Sequence, residues 1–221
     1  DLERDFERIL AIEVEPGVVY AVLGPLTERF DRVYQDPKVA LVVQEAGGFM
    51  KRVGQDFDLI YLPGVGGYPQ MMLEPGNMIR THEAYRTLAD RLTARGILAI
   101  GYASVLDPRG ILTEQYIHTL EQRDIGIEVR AYRNRGEVLI LAARKAEYLP
   151  QTKEVEDFYL RPVRDLYGED YIPVFADLPR VLEKTWDETT FKPIRDDQPF
   201  LAGNVQHIFS LQQVGNLFVL V

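Results

Sequence analysis

The sequence predicts an α/β protein: a mostly parallel, Rossmann-like methyltransferase-type sheet with helices on both faces and an antiparallel edge strand. Three observations predict it. Short apolar runs alternate with segments of helical periodicity through residue 145. Strands joined by helices pair in parallel, and their linking helices cover both faces of the sheet. Two strand-like segments around Arg135-Gly136 read as a hairpin, which adds the antiparallel edge.

"RILAIEVE" (Arg8 to Glu15) is the first strand. Pro16 suits the first position of a helix. Val19, Val22, Leu23, Leu26 and Phe30 follow it at helical spacing. "VALVV" (Val39 to Val43) is the second strand, after the turn pair Asp36-Pro37, and a short helix covers Gly48 to Val53. "DLIYL" (Asp58 to Leu62) is the third, breaking at Pro63 into Gly64-Val65-Gly66-Gly67. A helix from Thr81 to Arg95 buries Ala84, Tyr85, Leu88, Ala89 and Leu92, and Gly96 stops it. "ILAIGYA" (Ile97 to Ala103) is the fourth strand. Asp107-Pro108 reads as an N-cap and first-turn proline, opening a helix with Leu112, Tyr116, Thr119 and Leu120 on one side. "IEVRAYRN" and "EVLILAAR" complete the sheet. Residues 1–145 form one α/β domain. Residues 146–221 are more polar and proline-punctuated, with a helix near Lys153 to Tyr167, and read as a C-terminal extension packed on that domain.

Composition narrows the function. The 221 residues carry a formal charge of −9, which disfavours a phosphate backbone as partner. The absence of cysteine excludes a disulfide scaffold, thiolate zinc sites and a cysteine nucleophile. With three histidines besides, no metal site is expected. The charged start, Asp1 to Arg8, is not a signal peptide, and a chain beginning without Met reads as a fragment. "VGNLFVLV" (Val214 to Val221) is too short to span a bilayer, which needs roughly 20 residues. It is either a last strand or core segment, or the beginning of a transmembrane helix.

Strand ends are where ligands collect in such sheets. Glu13 ends the first strand, where a carboxylate can accept from the hydroxyls of a ribose; a solvated acidic turn has the same pattern. Glu45 in "QEAGG" could accept from an adenine amine, with Ala46 supplying a backbone donor. Leu62, Pro63 and Gly64 end the third strand, but the loop is neither G-x-G-x-x-G nor a Walker sequence. Asp196 and Asp197 in "RDDQPF" are an acid pair, read either as a turn or as acids facing a cationic substrate, and His207 follows. His82 and His118 read as solvated histidines on exposed helix faces. Ser104 lacks the G-x-S-x-G elbow. Tyr61, Tyr68 and Tyr102 lie near strand ends, available for stacking or core packing.

The order "IEVEP", "DPKVALVVQEAGGFM", "FDLIYL", "THEAYRTLADRLTARGILAI", followed far downstream by "RDDQPF", resembles the spermidine/spermine synthase-like branch of class I S-adenosylmethionine-dependent transferases. Within it, the resemblance is to membrane-associated bacterial members. It covers roughly Ile9 to Phe200. It implies S-adenosylmethionine or its decarboxylated form as co-substrate, with methyl or aminopropyl transfer to a small molecule such as a polyamine or other amine. It implies that Glu13 holds the ribose and that Glu45, where an aspartate is usual, meets the adenine amine. Ala46, Leu62, Pro63 and Gly64 then line the cofactor, and Asp196 and Asp197 are the speculative catalytic acids. Pro63 stands where polyamine synthases carry their general-base aspartate, and proline has no proton-accepting side chain. The family's first strand and glycine-rich turn should precede Glu13 by about twenty residues; only twelve residues do. The resemblance also implies a cytoplasmic protein on the inner face of a membrane, and a homodimer. The alternative is an inactive domain with a regulatory or structural role.

Overall fold

β-Branched and aliphatic residues in "ILAIE" and "VALVV" fit a pleated surface. In the computed structural model they form β1 (Ile9–Glu13) and β2 (Val39–Val43), paired in parallel from Ile9↔Val39 to Glu13↔Val43. The structure describes residues 6–30, 32–63, 79–103, 107, 110–168, 180–182 and 193–196. The chain divides into two compact units, Asp1–Gly54 and Gln55–Val221.

In the first unit, α1 (Pro16–Leu23) supplies the crossover that a parallel pair requires. Pro16 opens the helix, and the Glu15 carboxylate accepts from the Gly17 amide at 3.0 Å. The helix stops at Leu23, short of Phe30. Beyond Gly24, residues Thr27–Phe30 wind into a 3₁₀ turn, and the Thr27 hydroxyl donates to the Val22 carbonyl at 2.9 Å. α2 (Ala46–Arg52) follows β2.

The second unit holds β3 (Phe57–Pro63), α3 (His82–Asp90), β4 (Leu92–Ala103), α4 (Ile111–Leu120), β5 (Glu128–Arg133), β6 (Glu137–Ala143), α5 (Thr152–Tyr167) and β7 (Arg180–Val181). Its sheet runs β3-β4-β6-β5-β7. β3 and β4 are parallel, and β6 is antiparallel to both its neighbours. The reversed strand β6 therefore lies inside the sheet, and the antiparallel edge is the two-residue β7. The boundary expected after residue 145 does not coincide with the two units: β7 pairs with β5, and Val155 of α5 packs with Ala99, Tyr132 and Leu141.

Alternation along β4 and β6 sorts the core. Leu98, Ile100, Tyr102, Val138 and Ile140 are buried, and Tyr102 meets Thr113 and Tyr116 of α4. Ala99, Leu141 and Ala143 pack with α5 instead. α3 ends at Asp90, five residues earlier than its periodicity predicts. Arg144 donates to the Ala89 carbonyl at 2.9 Å, and Leu92 is already paired with Phe57. Gly96 is thus not a helix stop. It sits in β4 beside a register shift, where a Cβ would lie 2.7 Å from the Phe57 carbonyl oxygen.

Asp107 is not the N-cap of α4. Gly110 holds that position with φ 77°, a conformation glycine adopts without strain. From three residues upstream, the buried Asp107 carboxylate accepts from the amides of Leu112 (3.0 Å) and Thr113 (2.8 Å) and from the Thr113 hydroxyl (2.6 Å).

His82 is buried at 3% exposure, contrary to the exposed helix face expected. The reason is the distant segment 193–196, which covers the start of α3. The His82 amide donates to the Ile194 carbonyl at 2.6 Å, and the Asp196 amide to Glu83 at 3.0 Å. Arg195 Nη1 lies 3.2 Å from both His82 Nδ1 and Glu83 Oε1. A guanidinium only donates, so Nδ1 accepts, and Nε2 carries the proton given to Asp124 at 2.8 Å. Among the described residues no helix is long and apolar enough to cross a membrane; "VGNLFVLV" lies outside them.

Asp107→Ala strands two buried amides at the start of α4 and should cost about 2–4 kcal/mol in chemical denaturation. Burial acts to raise the Glu83 pKa, but amide donors, its own and that of Asp196, and Arg195 hold it below the usual carboxylate range. Its stabilisation is therefore complete above the unfolded value of about 4.3 and lost as pH falls through the lower folded value. Melts of wild type and Glu83→Gln should differ by about 0.5–1 kcal/mol at neutral pH and converge in acid.

Candidate functional site

The parallel, in-register pairing of β1 and β2 sends Glu13 and Glu45 out from the same edge of that sheet. Glu13 Oε1 accepts from the Glu15 amide at 2.8 Å, which folds the chain into α1. Glu45 caps α2 with both oxygens, accepting from Gly47 (2.6 Å) and Gly48 (2.5 Å). A Cβ at either glycine would lie 3.0 Å from a Glu45 oxygen, so "EAGG" is the local sequence that lets the carboxylate fold over the helix end. A carboxylate has about four lone-pair sites, so each oxygen keeps capacity for an outside donor. Ala46 is the first residue of α2.

In the second unit, the Leu62 side chain is buried at 8% exposure, so only its backbone is presented at the strand end. The Pro63 carbonyl accepts from Arg80 Nη2 at 3.1 Å. Gly64 lies outside the described residues, as do Tyr68, Ser104, Asp197 and His207. The Asp196 carboxylate accepts from the Thr81 hydroxyl at 2.5 Å, which ties it to the start of α3. His118 is half-buried.

Arg80 is the residue that sequence reasoning missed. It is 2% exposed. Its Nη1 donates to the Tyr116 hydroxyl at 2.8 Å, and its Cζ lies 5.2 Å from the centre of that ring. Tyr116 packs edge-on against Tyr102 at 6.0 Å. The Tyr102 hydroxyl donates to Thr113, which donates to Asp107. Arg80 Nε and the Tyr85 hydroxyl are buried with no hydrogen-bond partner among the described residues. Burial acts against the Arg80 charge, but the surrounding phenols outweigh it and its pKa is raised. Burial pushes Tyr85, Tyr102 and Tyr116 upward, so all three stay neutral at physiological pH. The cluster is one fixed positive charge among phenols. Nothing in "MIRTHEAY" marks it, because Arg80 precedes the helical periodicity and its burial arises from α4.

On the other face, Gly101 leaves room for polar groups. A Cβ there would lie 3.0 Å from the Tyr61 hydroxyl and 3.4 Å from Glu137 Oε1. Tyr159 of α5 donates to Glu137 at 2.6 Å. Tyr61 is 54% exposed, so its ring faces outward, whereas Tyr102 is core. Among the described residues, no group of three His, Cys, Asp or Glu side chains could hold a metal ion.

No family model matches the chain, and no curated protein matches it. Solved structures do. A probable spermidine synthase from Corynebacterium glutamicum is 12% identical, with a TM-score of 0.51 over 81% of this chain and 59% of that one. The spermidine synthase of Thermotoga maritima is 15% identical, with a TM-score of 0.48 over 69% of this chain. An rRNA methylase from Streptococcus thermophilus is 17% identical, with a TM-score of 0.41 over 62% of this chain. The chain spans about half of the Thermotoga protein, 51% of its length. The likeness to the Corynebacterium protein shows the fold: an α/β, Rossmann-like architecture of the methyltransferase type, as the sequence predicts.

Proposed function

We propose that the chain is a spermidine synthase-like domain that binds an S-adenosylmethionine-type nucleoside and serves alkyl transfer, methyl rather than aminopropyl, to a small molecule. The observation that carries this reading is the pair of acids on one edge of the parallel strands, Glu13 and Glu45, in a fold of the methyltransferase type. Glu13 Oε2 has no partner among the described residues, which suits it to a ribose hydroxyl. Glu45, already held rigid by two amides, suits an exocyclic amine. S-adenosylmethionine would supply a carbon on a sulfonium, ready for a nucleophile. The chain's own contribution would be orientation, which can supply much of the rate.

Aminopropyl transfer needs a base for the attacking amine. Pro63 offers only a carbonyl, and that carbonyl takes a proton donor from Arg80. A cation beside the strand end also disfavours a polyamine there. These two facts favour methyl transfer. The net charge of −9 favours a small-molecule acceptor over a nucleic acid.

Calorimetric titration with S-adenosylhomocysteine tests the reading. Wild type should bind, and Glu13→Ala should weaken binding at least about tenfold, with an unchanged circular dichroism spectrum. No heat from wild type would overturn it.

A further inference from the structure

Residues 193–196 are held to α3 by a cluster in which one histidine has both ring nitrogens committed. His82 is 3% exposed. Its Nε2 donates to Asp124, in the turn after α4, and its Nδ1 accepts from Arg195. These roles follow from Arg195, because a guanidinium has no acceptor. A proton on Nδ1 therefore removes the Arg195 bond and sets a second cation 3.2 Å from Nη1. Another acceptor is within reach. Glu83 Oε1 lies 3.8 Å from Nδ1 and 3.2 Å from Arg195 Nη1. Through Oε2 the same carboxylate takes the Asp196 amide.

The charged groups around the ring come from three elements. α3 contributes Glu83 and, 3.8 Å from the other oxygen of Asp124, Arg86. The turn after α4 contributes Asp124, and segment 193–196 contributes Arg195 and Asp196, whose carboxylate takes the Thr81 hydroxyl. The bond from His82 holds Asp124 below the usual carboxylate range. Against burial, amides and Arg195 do the same for Glu83. Neither acid titrates where a histidine changes charge. Ile194 is held by other means. It is 4% exposed, its carbonyl accepts from the His82 amide, and its amide donates to the Thr119 hydroxyl. No proton exchanged in that range alters these bonds.

We propose that His82 is a proton-sensitive clasp: taking up a proton at Nδ1, it exchanges Arg195 for Glu83 and detaches residues 195 and 196 from α3, with Ile194 as the pivot. The detached form accepts a proton that the docked form excludes, so docking weakens as pH falls. The start of α3 that is uncovered follows Arg80, which holds the Pro63 carbonyl. The clasp thereby links proton uptake to the end of β3. It stands apart from the transferase reading and holds whichever ligand the fold binds.

Amide hydrogen exchange followed by NMR on the whole chain is the test. Samples at about pH 7.5 and about pH 5.5 span the histidine range, and each rate is divided by the chemical exchange rate at that pH. Protection of the Asp196 amide should fall at least about tenfold in the acid sample. The amides of Ile194 and of Ile100 in β4 should keep theirs. Unchanged protection at Asp196, or loss at all three together, would overturn the proposal. The loss at Asp196 should also share one midpoint with the ring resonances of His82, and midpoints more than about one pH unit apart would equally overturn it. His82→Gln keeps an acceptor and a donor without a titrating ring. In this variant the Asp196 amide should be equally protected at both pH values, and a surviving tenfold difference would sink the assignment to His82. If the variant does not fold, the ring titration of wild type decides alone.

Discussion

The burial of β4 is the constraint on which the second unit depends. This strand is covered along both edges, by parallel β3 and antiparallel β6, and Leu98 and Ile100 are fully enclosed. Side chains alternate along a strand, so a one-residue slip would exchange its two faces. With the register fixed, Tyr102 must point to α4 and Ala99 to α5. The ends of β3 and β4 are then fixed as well, and with them Pro63, Gly101 and the polar groups beside each.

The strand ends in the two units hold charge by different physical means. Glu13 is half-buried and Glu45 exposed, and their oxygens accept from amides two or three residues further along the chain. Arg80 is the reverse case. It is enclosed, and it keeps its charge through a carbonyl, a phenol and a ring face. At the end of β3, Pro63 offers no side-chain proton acceptor, and its carbonyl faces the Arg80 cation.

Segment 193–196 shows how a remote piece of chain completes an element. Thr81 caps α3 through the Ala84 amide at 3.2 Å, a local contact. The rest of that helix start is supplied from more than a hundred residues away, by Ile194, Arg195 and Asp196. His82 becomes a connector between Arg195 and Asp124 rather than a surface side chain. The acids of "RDDQPF" that resemble site residues thus include one, Asp196, engaged in holding the segment to α3.

The sequence by itself determined the element order, the strand cores and the acidic strand ends. Each of these rests on short-range physics: period-two and period-3.6 apolar patterns, proline at a helix start, glycines beside a capping carboxylate. β2 falls exactly where "VALVV" predicts it, and "DLIYL" lies within β3. Tertiary structure decided what depends on distant partners. It ended α3 at Asp90 because Leu92 pairs with Phe57, and it placed β6 between β4 and β5 because both its edges found partners. It buried His82 and Arg80, whose surroundings come from α4 and segment 193–196. Local pattern reports which face a residue takes on its own element; only packing between elements determines whether that face meets water, a phenol or a distant arginine.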